Sequence, residues 1–212
     1  MIIAGAGGFA KEVFEILNQQ NKTTDLAMYV DVALENATFL NGVPILSDPD
    51  SLKSHFAKHG NSFVVGIGNP ENRIKFTERM QSFGGEVVSL ISLNAEIGGV
   101  DVHIGLGTVI LGGVRISNSV SIQEGCIIYY NAIITHDCSI GKFVEISPGA
   151  TVLGRAIIGD YCQLGANCTI LPNVRLGKNV TVGAGAVVTK DQPDNSVVAG
   201  IPARIINQSR SF

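Results

Sequence analysis

The chain has 212 residues, 45% of them hydrophobic, and a formal net charge of −3 at neutral pH. That balance supplies no basic field for nucleic acid or an acidic membrane surface, and no apolar run approaches the ~18 residues of a membrane span. The length accommodates one or two domains with a real core.

The opening MIIAGAGG has no charged leader segment and runs straight into a turn, so it does not read as a signal peptide and a cytoplasmic protein is expected. MIIAG reads as a short strand, and KEVFEILNQQ as a helix with Val13, Phe14, Ile16 and Leu17 on one stripe. LAMYVD is a second strand ending at Asp31. Asp48 followed by Pro49 caps a helix to about Lys58. FVVGIG is a third strand, and Asn69–Pro70 opens a helix carrying Ile74, Phe76 and Met80 toward Gly84. EVVSLI closes the unit. Strand and helix alternating in this way predict a small parallel, Rossmann-like sheet over residues 1–90. Gly5, Gly7 and Ala10 fit G-x-G-x-x-A between strand and helix, with Asp31 after the second strand. This reads either as a phosphate cradle on a helix N-terminus, with Asp31 accepting from a base or ribose, or as a tight turn with a solvated aspartate.

From Ile104 the grammar changes. An aliphatic residue recurs every six positions without a miss through Val188, and four residues after each comes a smaller one, such as Ala132, Cys138 or Ala150. Six is neither the helical period nor strand alternation. It specifies a short strand and a corner, three of which close a triangular coil, so residues 18 apart stack at the ~4.8 Å strand spacing. Fifteen such hexads make about five coils over residues 91–212. The pattern resembles the hexapeptide-repeat acyltransferases, and that resemblance implies a left-handed parallel β-helix and a homotrimer. Glycine often directly follows the aliphatic, as at Gly105, Gly141 and Gly165, and reads as a turn-tolerant position.

Cys126, Cys138, Cys162 and Cys168 all occupy the small inward position. Only Cys126 and Cys162 share a face, two coils or roughly 10 Å apart, beyond disulfide reach. All four read as core residues. Of the coil histidines, His103 reads as surface, where the register slips by one between Ile97 and Ile104. His136 lies on a corner, beside Asp137 and one coil before Gly154. It reads as a solvated turn residue or as a general base whose tautomer Asp137 holds. Gly154 either eases a tight corner or offers its N–H to a developing oxyanion, as acyl transfer from a thioester requires.

A closer resemblance spans nearly the whole chain. GAGGFAKEV, YVD, NGVPIL and VGIGNPENR, followed in order by THDC, ISPGATVLG and IGDYCQLG, resemble the NeuD-type sugar acyltransferases. The nearest type is the UDP-4-amino-sugar N-acetyltransferases of bacillosamine biosynthesis. The resemblance implies acetyl-CoA as cosubstrate, no metal, and direct transfer to the amine of a nucleotide-linked 4-amino-4,6-dideoxy sugar. By it His136 is the base, Asp137 its partner, and Gly154 the thioester contact. Ser147, Ala166, Gly183 and Ala184 line the acetyl-CoA channel, while Gly7, Gly8 and Asp31 hold the nucleotide sugar. Sites between the subunits of a trimer are implied. The chain departs from the family with Phe9 and Glu145 where histidine is common and Arg155 where asparagine often stands. Sialic-acid-type O-acetylation is the nearest alternative. A Rossmann oxidoreductase, a zinc site of the carbonic-anhydrase type, which needs about three histidines, and a non-catalytic scaffold explain less of the chain.

Overall fold

The computed structural model describes residues 1–31 and 39–208 and divides into two compact units, Met1–Leu93 and Asn94–Phe212. The first contains β1 (Ile2–Ala4), α1 (Gly8–Gln19), β2 (Ala27–Tyr29), β3 (Ile45–Leu46), α2 (Pro49–His59), β4 (Ser62–Val65), α3 (Pro70–Ser82) and β5 (Glu86–Val87). All five strands are parallel in the order β3-β2-β1-β4-β5. The order reverses at β1, which opens a crevice outside the carboxyl ends of β1 and β4. β1 is fully buried along its length, as expected of a parallel strand covered on both faces. Above it α1 buries Phe9, Ala10, Val13, Phe14, Ile16 and Leu17.

The expected caps are in place. Asp48 accepts from the amides of Asp50 and Ser51, and Asn69 from that of Asn72. Two features lie outside the sequence reading. β3 spans two residues, too few to show alternation, and its neighbour Pro44 accepts from Met28 N at 2.9 Å. In α3, Met80 is buried but Ile74 and Phe76 are only half-buried, and Arg73 is buried at 2% exposure.

In the second unit the six-residue ladder becomes three parallel sheets that wind as a left-handed parallel β-helix. Ile104, Ile122, Ile140, Ile158 and Leu176 pair in succession on one face, each step being the expected 18 residues. The step from Glu96 to Arg115 is one residue longer and absorbs the slip before Ile104. Aliphatics from Ile110 to Val188 are almost wholly buried. No hexad can bury its own side chain, so each coil is stable only against its neighbours. The strand Ser196–Gly200 pairs with Thr181–Val182 and folds back antiparallel onto Ala203–Gln208, closing the open end of the prism.

The corners differ from expectation in one respect. The left-handed residue is the third after each aliphatic, as at Asp137 (φ 60°), Arg155 (φ 62°) and Asn173 (φ 64°). The glycine directly after the aliphatic serves close approach instead: a Cβ on Gly165 would lie 2.6 Å from the amide nitrogen of Ala184 in the next coil.

Candidate active site

The corner between the first face (Ile133–Ile134, Thr151–Val152, Thr169–Ile170) and the second (Ser139–Ile140, Ile157–Ile158) carries His136 and Gly154. The ladder holds their backbones in register, with Arg155 N donating to His136 O at 3.1 Å and Asn173 N to Gly154 O at 3.0 Å. His136 Nδ1 lies 2.7 Å from Asp137 Oδ2. That contact fixes the tautomer with hydrogen on Nδ1 and leaves the Nε2 lone pair as the acceptor. The ring lies over Gly154: a Cβ there would sit 2.6 Å from Cε1 and 2.8 Å from Nε2. Only glycine leaves the imidazole this position. Gly154 N–H has no acceptor among the described residues, so a proton acceptor and a free backbone donor stand on the same corner. Arg155, beside them, donates from Nε to Asn173 Oδ1 at 2.8 Å.

The His136 side chain is 54% exposed. An imidazole so open to water is not enclosed by its own chain.

Ser147, Ala166, Gly183 and Ala184 lie elsewhere. They follow Ile146, Leu164 and Val182 of the third face, on the corner that precedes the first face rather than the one that follows it. Their offsets from His136 are not multiples of 18, so one chain does not gather them around the imidazole. The amides of Ala166 and Ala184, one coil apart on this corner, have no acceptor among the described residues. Such a row of free N–H groups fits the amide carbonyls of an extended pantetheine arm.

In the first unit, Gly7 caps α1 without a side chain, no acid stands in the helix's first turn, and a Cβ on Gly7 or Gly8 would meet nothing within 4 Å. The backbone at Gly7 and Gly8, where α1 begins, is thus left uncovered and accessible to a phosphate. Asp31, after β2, receives Arg79 Nη1 on Oδ2 at 3.2 Å. Both side chains are exposed, so the pair itself adds little stability. Phe9, at the position where histidine is common, is 8% exposed and turned into the core. Arg73 was missed from the sequence; its Nη1 donates to Gly68 O after β4. Its spacing of seven from Met80, two turns of one helix, was the available signal.

The four cysteines are free and buried. Burial pushes the thiols of Cys162 and Cys168 up to about 12, which leaves them protonated and unreactive at neutral pH. Among the described residues no group of three histidine, cysteine or carboxylate side chains is gathered for a metal ion, and no helix is long and apolar enough to cross a membrane.

Two family models match this chain: the PglD N-terminal domain over residues 1–80 and the bacterial transferase hexapeptide (six repeats) over residues 155–190. A GDP-perosamine N-acetyltransferase of Escherichia coli O157:H7 is 33% identical over 202 residues, 93% of this chain and 81% of its own length. Among solved structures, PerB from Caulobacter crescentus, in complex with CoA and GDP-perosamine, is 29% identical with a TM-score of 0.88, covering 97% of this chain and 96% of that one. The acetyltransferase domain of PglB from Neisseria gonorrhoeae is 29% identical with a TM-score of 0.87, covering 97% and 98%. A further structure of that domain is in complex with acetyl coenzyme A.

Proposed function

This chain belongs to the NeuD/PglD family of hexapeptide-repeat sugar acyltransferases, and on that premise we propose that it acetylates the amine of a nucleotide-linked amino sugar with His136 as general base. It is an acetyl-CoA-dependent sugar acetyltransferase. The observation that carries the mechanism is the His136 ring lying against Gly154, with Asp137 on Nδ1.

Acetyl-CoA supplies an acetyl group activated as a thioester. His136 Nε2 takes the proton of the sugar amine as the C–N bond forms. Asp137 holds Nδ1–H and stabilises the imidazolium. Gly154 N–H donates to the carbonyl oxygen as negative charge develops there. As the C–S bond breaks, the proton on Nε2 passes to the departing sulfur, and the base is regenerated. No acyl-enzyme is required, since the cysteines are buried and protonated.

Ser147, Ala166, Gly183 and Ala184 line the pantetheine path in this reading, and a second copy of the chain in a homotrimer brings that corner to His136. The exposure of the imidazole supports this, because transfer needs a wall that excludes water. Gly7 and Gly8 hold the diphosphate, and Asp31 reads the base. The sequence resemblance favours a UDP-linked 4-amino-4,6-dideoxy sugar, whereas PerB was solved with a GDP-linked one. Both nucleotides therefore belong in the assay. The cytoplasm, where acetyl-CoA and nucleotide sugars meet, is the compartment this reading requires.

The test is CoA release with acetyl-CoA and a panel of UDP-, GDP- and dTDP-amino sugars and sialic acids. His136→Ala should lose about 10²–10⁴-fold in kcat with little change in either KM. Unchanged turnover in that variant would sink the mechanism.

A further inference from the structure

At the amino edge of the first sheet, away from Gly7 and Asp31, the C-terminal half of α2 carries His55 and His59 on one helical face. Their ring centroids lie 4.7 Å apart with the planes tilted by 40°. His59 Nδ1 is 3.4 Å from Oδ2 of Asp25, which stands just ahead of β2. His55 is half-buried, and its Nε2 is buried without a hydrogen-bond partner. Two concavities of about 390 and 400 Å³ flank the pair, and both imidazoles line each of them. Protons therefore reach the pair from either side. The charged groups that act on His55 are the Met1 amino group ahead of β1, Asp25 ahead of β2, and His59 on its own helix. Lys58 and Asp50 of α2 stand on the rim of the first concavity, while β3 and the segment before it contribute the uncharged Leu46, Val43 and Pro44.

A proton on His55 meets an unfavourable setting. The charged ring gives up water that the site does not replace, and it adds positive charge beside the Met1 amino group and His59. The Met1 carbonyl and Asp25 favour the charged form, but Asp25 is already turned to His59, and burial, the largest effect, holds the His55 pKa below its ordinary 6.5. We propose that the His55–His59 pair is an acid-sensitive latch, closed while the rings are neutral, that holds the C-terminal half of α2 against the sheet and releases it when both rings are protonated. The release reaches the core. Leu52 and Phe56, in the same helix, belong to one buried cluster with Ala27 and Tyr29 of β2, and the chain runs on from β2 to Asp31. The latch's contribution to stability is complete above the ordinary value of 6.5 and is lost as pH falls through the lower folded one.

Thermal melts of the full chain between about pH 8 and pH 5 test the latch in wild type, His55→Leu and His59→Gln. The expected result is a wild-type Tm that falls below about pH 6.5, a slope at least twofold smaller in His55→Leu, which cannot take the proton, and a lesser reduction in His59→Gln. Equal slopes in wild type and His55→Leu would overturn the latch. Should His55→Leu fold poorly, NMR of wild type alone decides. A His55 C2–H resonance titrating below 6.5, with hydrogen-exchange protection of α2 lost over the same range after correction for intrinsic exchange, supports the latch; titration at or above 6.5, or α2 protection unchanged, overturns it. In the proposed function, on which this last arm rests, the sugar KM of wild type should rise threefold or more from pH 7 to about pH 5.5, and that of His55→Leu should not. Equal changes overturn the coupling to the nucleotide sugar. A wild type without turnover overturns the acetyltransferase reading, while the melts still decide the latch.

Discussion

Replacing Gly154 by alanine probes the site without touching either side chain of the His136–Asp137 pair. The added methyl would lie 2.6 Å from Cε1 of the imidazole, so the ring must swing off the corner. kcat should fall by about 10²-fold, the scale of losing one well-placed acid–base group, while KM for the nucleotide sugar stays near wild type. Full activity in Gly154→Ala would mean that the ring position seen here is not the working one. Cysteine chemistry gives a second test. With their pKa values at about 12, Cys162 and Cys168 should resist alkylation in the native protein and react only on unfolding. The raised folded values also set a pH dependence. Their contribution to stability is complete below the ordinary thiol value of 9.0 and is lost as pH rises toward about 12. Thermal melts should show Tm falling over that window, and a Cys162→Ala/Cys168→Ala variant should flatten the fall.

Within α1, Glu12 is the element's one awkward residue. Its Oε2 is buried without a hydrogen-bond partner, and burial raises its pKa. The folded state therefore favours the neutral acid, and stability is complete below the unfolded value near 4.5 and declines as pH rises through the folded one. Glu12→Gln should raise Tm at pH 7 by roughly 2 °C, and the gain should vanish when the melt is repeated below the ordinary carboxyl value of 4.5. A lower Tm at pH 7 would show that the carboxylate has a stabilising role of its own. Elements differ in how much of them was legible. The helices α2 and α3 announce themselves through Asp48–Pro49 and Asn69–Pro70, because capping is a contact between near neighbours in sequence. β3 does not, because two residues carry no period. The prism strands from Ile104 to Val188 are equally short, yet they were legible, since the repeat supplies through many copies what one strand lacks.

At the scale of the whole molecule, the prism leaves an imidazole exposed on one corner and free amides on another, and the proposed remedy is a second copy. Light scattering should return three times the 22.3 kDa chain mass. An active monomer would remove the intersubunit site and require the pantetheine path to be reassigned. Mixing subunits of Gly183→Trp with subunits of His136→Ala tests the same point. If each site draws on two chains, some mixed interfaces carry neither lesion and activity returns, which neither variant shows alone.

Counting by six and eighteen was enough to know the three faces, the burial of four cysteines and the stacking of Gly154 beside His136, because a periodic fold turns sequence offset directly into position. The same arithmetic already separates Ser147, Ala166, Gly183 and Ala184 from the His136 corner, although their grouping by resemblance had concealed it. Tertiary structure alone decided what has no period. Arg79 meets Asp31 across 48 residues, Arg73 turns inward to Gly68, and the half-exposed imidazole leans on Gly154. Each of these depends on side-chain rotamers and on which surfaces a folded unit leaves open. The pairing of His59 with Asp25 is of the same kind, made by side chains from two segments whose approach no local pattern records.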